Sequence, residues 1–303
     1  MKKSFFLILL ALPLFATKYA GEIFELNPGV RATGFGGVGV ALNSSPFGFY
    51  FNPALISEGK TGLFNYTSLF SGLATYNFIG FSKRNQSGGG AAIGISIISA
   101  GNIKETALRD SAQGISEGNI YIKDILSYST FLVTMSFVKK FSHFDAGVKL
   151  KILHENLAVT AGNGFGLDVG VFKTSGPFAL GMVIRDVTGT PIFWKGHSEY
   201  VYPSINLGAT ATIKKRIVLG TQFDVYFEGR ERSATYNVGR VSFEPHFGFE
   251  YQFKRHAGVR IGIDRGRFTF GFGFSVKRLI FDYGYVGHAD LGPSNKFSVA
   301  FKF

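Results

Sequence analysis

The chain has 303 residues, with 40 glycines, 34 phenylalanines, 13 tyrosines and no cysteine, and 17% of its residues are charged. Glycine at about 13% where an average chain has about 7%, and few charges, describe a β-rich, membrane-compatible composition rather than an ordinary soluble enzyme. The apolar content of 46% excludes disorder, and the missing cysteines exclude disulfides, thiolate zinc sites, iron–sulfur clusters, thiol nucleophiles and a lipoprotein anchor. The formal charge of +12 is spread over 32 Lys and Arg with no run longer than Lys214-Lys215-Arg216, so the clustered footprint that nucleic acid needs is missing and none is expected as a partner.

Residues 1–20 read as a secretory signal. Lys2 and Lys3 form a basic n-region, and the uncharged run from Ser4 to Thr17 is interrupted by Pro13. That run is too short for a helix crossing about 30 Å of hydrocarbon. Cleavage after Ala20 would remove Lys2, Lys3 and Lys18, leaving 12 − 3 = +9. Later in the chain no uninterrupted apolar stretch is long enough for a spanning helix, which leaves a soluble exported β protein or an outer-membrane barrel.

Residues 21–60 do not alternate. Gly34-Phe35-Gly36-Gly37-Val38-Gly39 satisfies G-x-G-x-x-G literally, but a dinucleotide fingerprint needs a strand before it, a helix after it and an acid about 20 residues on. Pro28 lies upstream and Asn43 to Pro46 breaks any helix. A glycine-permitted segment that approaches barrel walls closely is the better reading. Too short for its own core, the segment is expected to fold inside a lumen as a hatch.

Residues 61–303 are expected to form a transmembrane β-barrel. Segments of about ten residues with period-2 alternation recur near 61–70, 73–83, 88–99, 127–141, 143–153, 162–174, 176–185, 202–213, 215–228, 241–253, 256–264, 266–276, 278–288 and 294–303. Their number is fourteen, even as single-chain bacterial barrels require, so the fold class is all-β: a 14-stranded antiparallel transmembrane barrel with an N-terminal hatch or plug inside the lumen.

In the segment from Arg267, Phe268, Phe270, Phe272 and Phe274 share one face against Thr269, Gly271, Gly273 and Ser275. The polar face carries charges of both signs, among them Asp145, Lys149, Asp168 and Arg185, then Asp224, Glu250, Arg260 and Asp282. Such a face suits a hydrated or plugged lumen and leaves the bulky residues for lipid. Connections alternate as well: those after strands 3, 5, 7, 9 and 13 (about 100–126, 154–161, 186–201, 229–240 and 289–293) are long, and those after strands 4, 6, 8, 10 and 12 are tight, which gives a loop rim and a turn rim. Phe297, Val299, Phe301 and Phe303 alternate with polar or small residues at the C-terminus, an amphipathic strand available to an assembly machine.

The run Gly29-Val30-Arg31-Ala32 through Gly34-Phe35-Gly36-Gly37, followed by Phe49-Tyr50-Phe51-Asn52-Pro53-Ala54, resembles the N-terminal hatch of FadL-like outer-membrane proteins (the OMPP1/FadL/TodX superfamily), closest to the PorV/PorQ branch. The stretches 145–151, 166–170 and 281–285 fit the same pattern. The resemblance implies an integral protein of the bacterial outer membrane in which Arg31, Gly34, Gly36, Gly37, Asn52, Pro53 and Ala54 belong to the hatch. It implies passive uptake of small hydrophobic compounds, as in FadL, or a non-transporting scaffold for protein secretion and surface attachment, as in PorV.

No catalytic constellation accompanies these features. His143, His154, His197, His246, His256 and His288 form no i,i+4 pair and no H-E-x-x-H, so neither enzyme activity nor a metal or cofactor is expected. Trp194, beside Phe193 and near Tyr200, reads as an interfacial anchor. Expected partners are outer-membrane lipid and lipopolysaccharide, the barrel-assembly machinery, and a hydrophobic small molecule or a secretion-system protein.

Overall fold

The structure, a computed structural model, describes residues 21–157, 160–228, 235–253 and 257–303. The expected signal peptide, residues 1–20, lies outside them. Among the described residues one antiparallel sheet of 17 strands encloses the molecule. Three short strands, Thr190–Phe193, Ser198–Val201 and Tyr236–Val238, belong to connections, and the other fourteen form a closed wall.

In chain order these are β1 (Gly59–Leu69), β2 (Ala74–Arg84), β3 (Gly90–Leu108), β4 (Ile120–Lys140), β5 (Asp145–Leu157), β6 (Thr160–Ser175) and β7 (Phe178–Arg185). They continue with β8 (Ser204–Ile213), β9 (Ile217–Tyr226), β10 (Val241–Phe253), β11 (Ala257–Asp264), β12 (Arg267–Val276), β13 (Leu279–Val286) and β14 (Ser294–Lys302). Each pairs with its sequence neighbours, and β14 closes the ring on β1 from Thr61↔Lys302 to Ser68↔Asn295. Closure leaves no unpaired edge in lipid, which a membrane-spanning sheet requires.

Period-2 alternation sets the two faces. Phe268, Phe272 and Phe274 of β12 are exposed on the outside, while Glu244, His246 and Glu250 of β10 are buried inside. No helix among the described residues is long and apolar enough to cross a membrane.

Three connections differ from the sequence reading. The stretch 100–126 is mostly strand, because β3 and β4 continue their pairing to Leu108↔Ile120 across irregularities after Ala100 and Glu105. β5 and β6 likewise pair up to Leu157↔Thr160, so the link expected over 154–161 shrinks to residues 158–159, outside the described residues. Within 186–201 the strands Thr190–Phe193 and Ser198–Val201 form a hairpin that joins β6 at Asn163↔Phe193. Of the expected loop 229–240, residues 229–234 are outside the described set.

Residues 21–58 run through the interior as a short 3-10 turn (Glu22–Glu25), α1 (Val30–Gly34) and α2 (Gly48–Phe51) joined by irregular backbone. The buried core is therefore the meeting of this segment with the inner wall. Phe47, Phe49 and Tyr50 surround Phe78 of β2 at ring-centroid distances of 5.8, 6.4 and 6.0 Å. Leu132, Leu153 and Tyr76 complete that apolar half, whereas Phe35, Val38 and Phe51 pack with Val218 of β9. The lumen is thus not uniformly polar: Tyr76 and Phe78 of β2, Ile98 of β3, Leu132 of β4 and Leu153 of β5 face it among small and polar neighbours, whereas the sequence reading leaves bulky apolar residues for lipid.

Candidate functional site

The site is the interior, where the N-terminal segment meets charged residues of the wall. Arg31 of α1 grips Glu250 of β10 at two points, Nε to Oε2 at 2.9 Å and Nη2 to Oε1 at 3.0 Å. Arg260 of β11 donates to the same carboxylate at 2.7 Å and to Asp282 of β13 at 2.6 Å. Gln252 supplies a further donor to Glu250 at 2.7 Å. With both buried cations satisfied by carboxylates, the network offsets the desolvation that would otherwise exclude charges from such a position.

A second network lies across the lumen. Lys149 and Lys151 of β5 hold Asp168 of β6 at 2.9 and 2.8 Å, and Lys151 also reaches Asp186 at 2.6 Å. Lys149 Nζ donates to the Tyr50 carbonyl at 2.7 Å, fastening α2 to the wall. A third joins Asp224 and Asp264 through His246, at 3.3 and 3.0 Å, while His246 Nδ1 stands 3.2 Å from the Gly36 carbonyl oxygen.

Backbone groups of the segment, which has little secondary structure to satisfy them, find partners on the wall. Gln222 Oε1 accepts from the amides of Gly39 and Val40 at 2.9 and 3.0 Å. Thr269 Oγ1 accepts from Gly36 at 3.1 Å. Asn52 Nδ2 donates to Val40 O and to Val171 O, both at 3.0 Å, and its Oδ1 caps Ala54 N at 3.0 Å. Lys296 of β14 donates to the Asn27 carbonyl at 2.9 Å.

Close approach explains the glycines. A methyl on Gly34 would lie 2.7 Å from the Gly271 Cα, so helix and wall touch backbone to backbone there. Gly36 and Gly37 have φ of +72° and +80°, values that L side chains disfavour. Pro53 and Ala54 lie against Gly147, where an added methyl would come within 2.5 Å of the Pro53 carbonyl.

The structure brings Arg31, Gly34, Gly36, Gly37, Asn52, Pro53 and Ala54 together with Lys149, Asp168, Asp224, Glu250, Arg260 and Asp282. Asp145 stands apart, paired with Arg84 at 2.7 Å near the turn rim. Arg185 faces a loop-side cavity, and its buried Nε has no hydrogen-bond partner among the described residues. Phe297, Phe301 and Phe303 are exposed on the outer face at the C-terminal end. Sequence reasoning did not single out Gln222, His246, Lys296 or Phe78 as contacts of the segment; inward placement in strand register was the signal available for the first three. Trp194 is also placed differently, half-buried in the loop hairpin against Gly162 and stacked on His197 at 6.1 Å rather than set on the outside as an anchor.

Two cavities flank the segment. One of about 480 Å³ opens on the loop side, walled by Ile23, Phe24, Leu26, Leu69, Ile98 and Tyr128, with Arg185, Asp224 and Arg265 among its polar groups. The other, about 450 Å³, lies on the turn side around Arg31, Asn43, Glu250, Gly258 and Asp282. The segment's backbone lies between them. Among the described residues no three His, Asp or Glu side chains are grouped as a metal site.

A closed fourteen-stranded barrel with chain packed in its lumen defines the architectural class. Its fold is similar to that of three solved structures: the P. putida toluene transporter TodX, with a TM-score of 0.59 at 11% identity over 92% of this chain and 98% of that one; the CymD monoaromatic hydrocarbon channel, 0.55 at 12% over 91% and 98%; and a Pseudomonas aeruginosa FadL homologue, 0.56 at 12% over 91% and 98%. At such identities the likeness is one of fold. No protein-family model and no curated protein sequence matches the chain.

Proposed function

We propose that the protein is an outer-membrane channel for the passive uptake of small hydrophobic compounds, with residues 21–58 acting as its hatch. The observation that carries this reading is the loop-side cavity, large enough for a small molecule, with an aliphatic and aromatic wall of Ile23, Phe24, Leu26, Leu69 and Ile98 facing a charged one that includes Arg185, Asp224 and Arg265, and ending against the segment. An apolar solute leaving water gains roughly 25 cal/mol per Å² buried, so such a vestibule concentrates it before any passage. The reading involves no catalytic step. The experiment is permeation into liposomes holding the refolded protein, with a fluorescent alkyl aromatic compared with a sugar of similar size. Uptake of the apolar probe alone supports the channel; uptake of neither, with the barrel folded, removes it.

A second reading, a scaffold of the PorV/PorQ kind that docks an exported protein, is favoured by a different observation. The extension of β3 and β4 presents Ile115, Ile122 and Ile125 to solvent at 86, 51 and 60% exposure, more apolar surface than a bare loop needs. Co-purification of a secreted partner that is lost in an Ile122→Asp/Ile125→Asp variant supports this reading.

A further inference from the structure

The cations that are scattered in sequence gather in space. Around the turn rim, Lys214, Lys215 and Arg216 occupy the β8–β9 turn, and Lys277 and Arg278 the β12–β13 turn, all exposed. Lys60, Lys83, Lys139 and Lys173 continue the ring at the ends of β1, β2, β4 and β6. Against them, among the described residues, stand Glu58 and Asp145, the latter already paired with Arg84. The loop rim is unlike this: Lys104, Arg109 and Lys123 share the β3–β4 extension with Glu105, Asp110 and Asp124.

Two further observations say what the ring faces. On the outer surface Lys83 and Lys139 follow Phe81 and Phe137 by two residues, the next position on the same face, and both phenylalanines are exposed. Aromatic rings at that level mark the membrane interface, which sets the ammonium groups at headgroup depth. The turns themselves do not call for lysine. Lys214, Lys215 and Lys277 have φ of +48°, +56° and +54°, conformations where Asn or Gly is the better residue, so folding alone gives no reason for the charge.

We propose that the turn rim is a docking surface for the phosphate headgroups of anionic glycerophospholipids in the leaflet it meets. The inference rests on the barrel standing in a bilayer and not on what the lumen carries. Its driving force is the attraction of juxtamembrane Lys and Arg to a negative surface, which acts within a Debye length and weakens with salt.

The test is lipid retention. The protein is refolded in vesicles of phosphatidylcholine mixed with phosphatidylglycerol, released in mild neutral detergent, and its bound lipids are counted by native mass spectrometry; heat-modifiable migration in gels establishes separately that each variant is folded. The expected result is phosphatidylglycerol enriched about tenfold over the bulk mixture at low ionic strength, with most of that enrichment lost at high salt. Lys214→Gln/Lys215→Gln/Arg216→Gln/Lys277→Gln/Arg278→Gln should lose most of it, and the loop-rim variant Lys104→Gln/Arg109→Gln/Lys123→Gln should retain it. Equal retention of the two lipids by the wild type, or unchanged enrichment in the folded turn-rim variant, overturns the proposal. So does an acidic polypeptide that binds the detergent-held barrel while no lipid preference exists, since the rim would then serve a protein partner.

Discussion

Arg31 and Glu250 join the N-terminal segment to the wall through a two-point ion pair, 2.9 and 3.0 Å, and Glu250 is shared with Arg260. Truncating the carboxylate therefore takes the shared anion from two guanidinium groups, leaving Arg260 with Asp282 alone and Arg31 with the Asn43 carbonyl. Glu250→Ala is expected to cost about 3–5 kcal/mol, the range for breaking a buried ion pair by removing one partner. The measurement is the temperature at which the compact gel band disappears; a variant that melts with the wild type would show that the network holds nothing together.

The contact of Gly34 with Gly271 leaves no room for a side chain. Gly271→Val should push α1 off the wall without touching any charged group, and the variant should leak small hydrophilic solutes in a liposome-swelling assay. A folded Gly271→Val barrel as tight as the wild type would mean that the segment does not seal at this point. Deletion of residues 29–54 should open a wider, nonselective conductance, and a planar-bilayer recording with unchanged conductance would count against any sealing role.

Phe78 is enclosed by Phe47, Phe49 and Tyr50, so Phe78→Ala empties the middle of the apolar half. A loss of about 3–5 kcal/mol is expected from lost transfer energy and the cavity left behind. Thermal or denaturant unfolding in detergent checks it. A loss below about 1 kcal/mol would mean that the segment collapses into the space and that its packing there is loose.

Phe303 is exposed at the end of β14, 6.1 Å from Phe81 and 4.9 Å from Phe301 by ring centroid. As the last ring of an amphipathic strand it is expected to serve recognition by the barrel-assembly machinery. Removing it should leave unfolded protein in the periplasm and little heat-modifiable barrel in the membrane. Wild-type amounts of folded barrel would exclude that role.

Much of the fold was legible because the wall obeys one rule. A strand such as β12, with Phe at every second position and Thr, Gly or Ser between, states both its conformation and its two faces, and fourteen such segments state the closure. The ion networks were only half legible. Strand register brings Lys149 opposite Asp168 and Glu250 opposite Arg260, but Arg31 lies 219 residues from Glu250 and its approach depends on a segment with no periodicity to read. Phe78 and Leu132 were hidden for another reason. Leu132 shares its face with Thr130, Thr134 and Ser136, and Phe78 with Gly80 and Ser82, and alternation alone does not say that a bulky residue on such a face has a partner inside the lumen. The irregularities after Ala100 and Glu105 disguised the continuation of β3 and β4, because each register shift breaks the alternating pattern that marks a strand.

That continuation makes the two rims of the barrel unequal in height. β3 and β4 are 19 and 21 residues long, against 8 for β7 or β11, so at about 3.3 Å per residue the pair stands well clear of its neighbours. Lys104, Arg109 and Lys123 lie along this projection, while the lysines of the turns sit on the opposite rim. On the reading proposed above, trypsin applied to intact cells should cut along this projection and at the exposed Lys195 and Arg240 of the same rim and leave the barrel standing, a footprint that reports which way the protein was inserted.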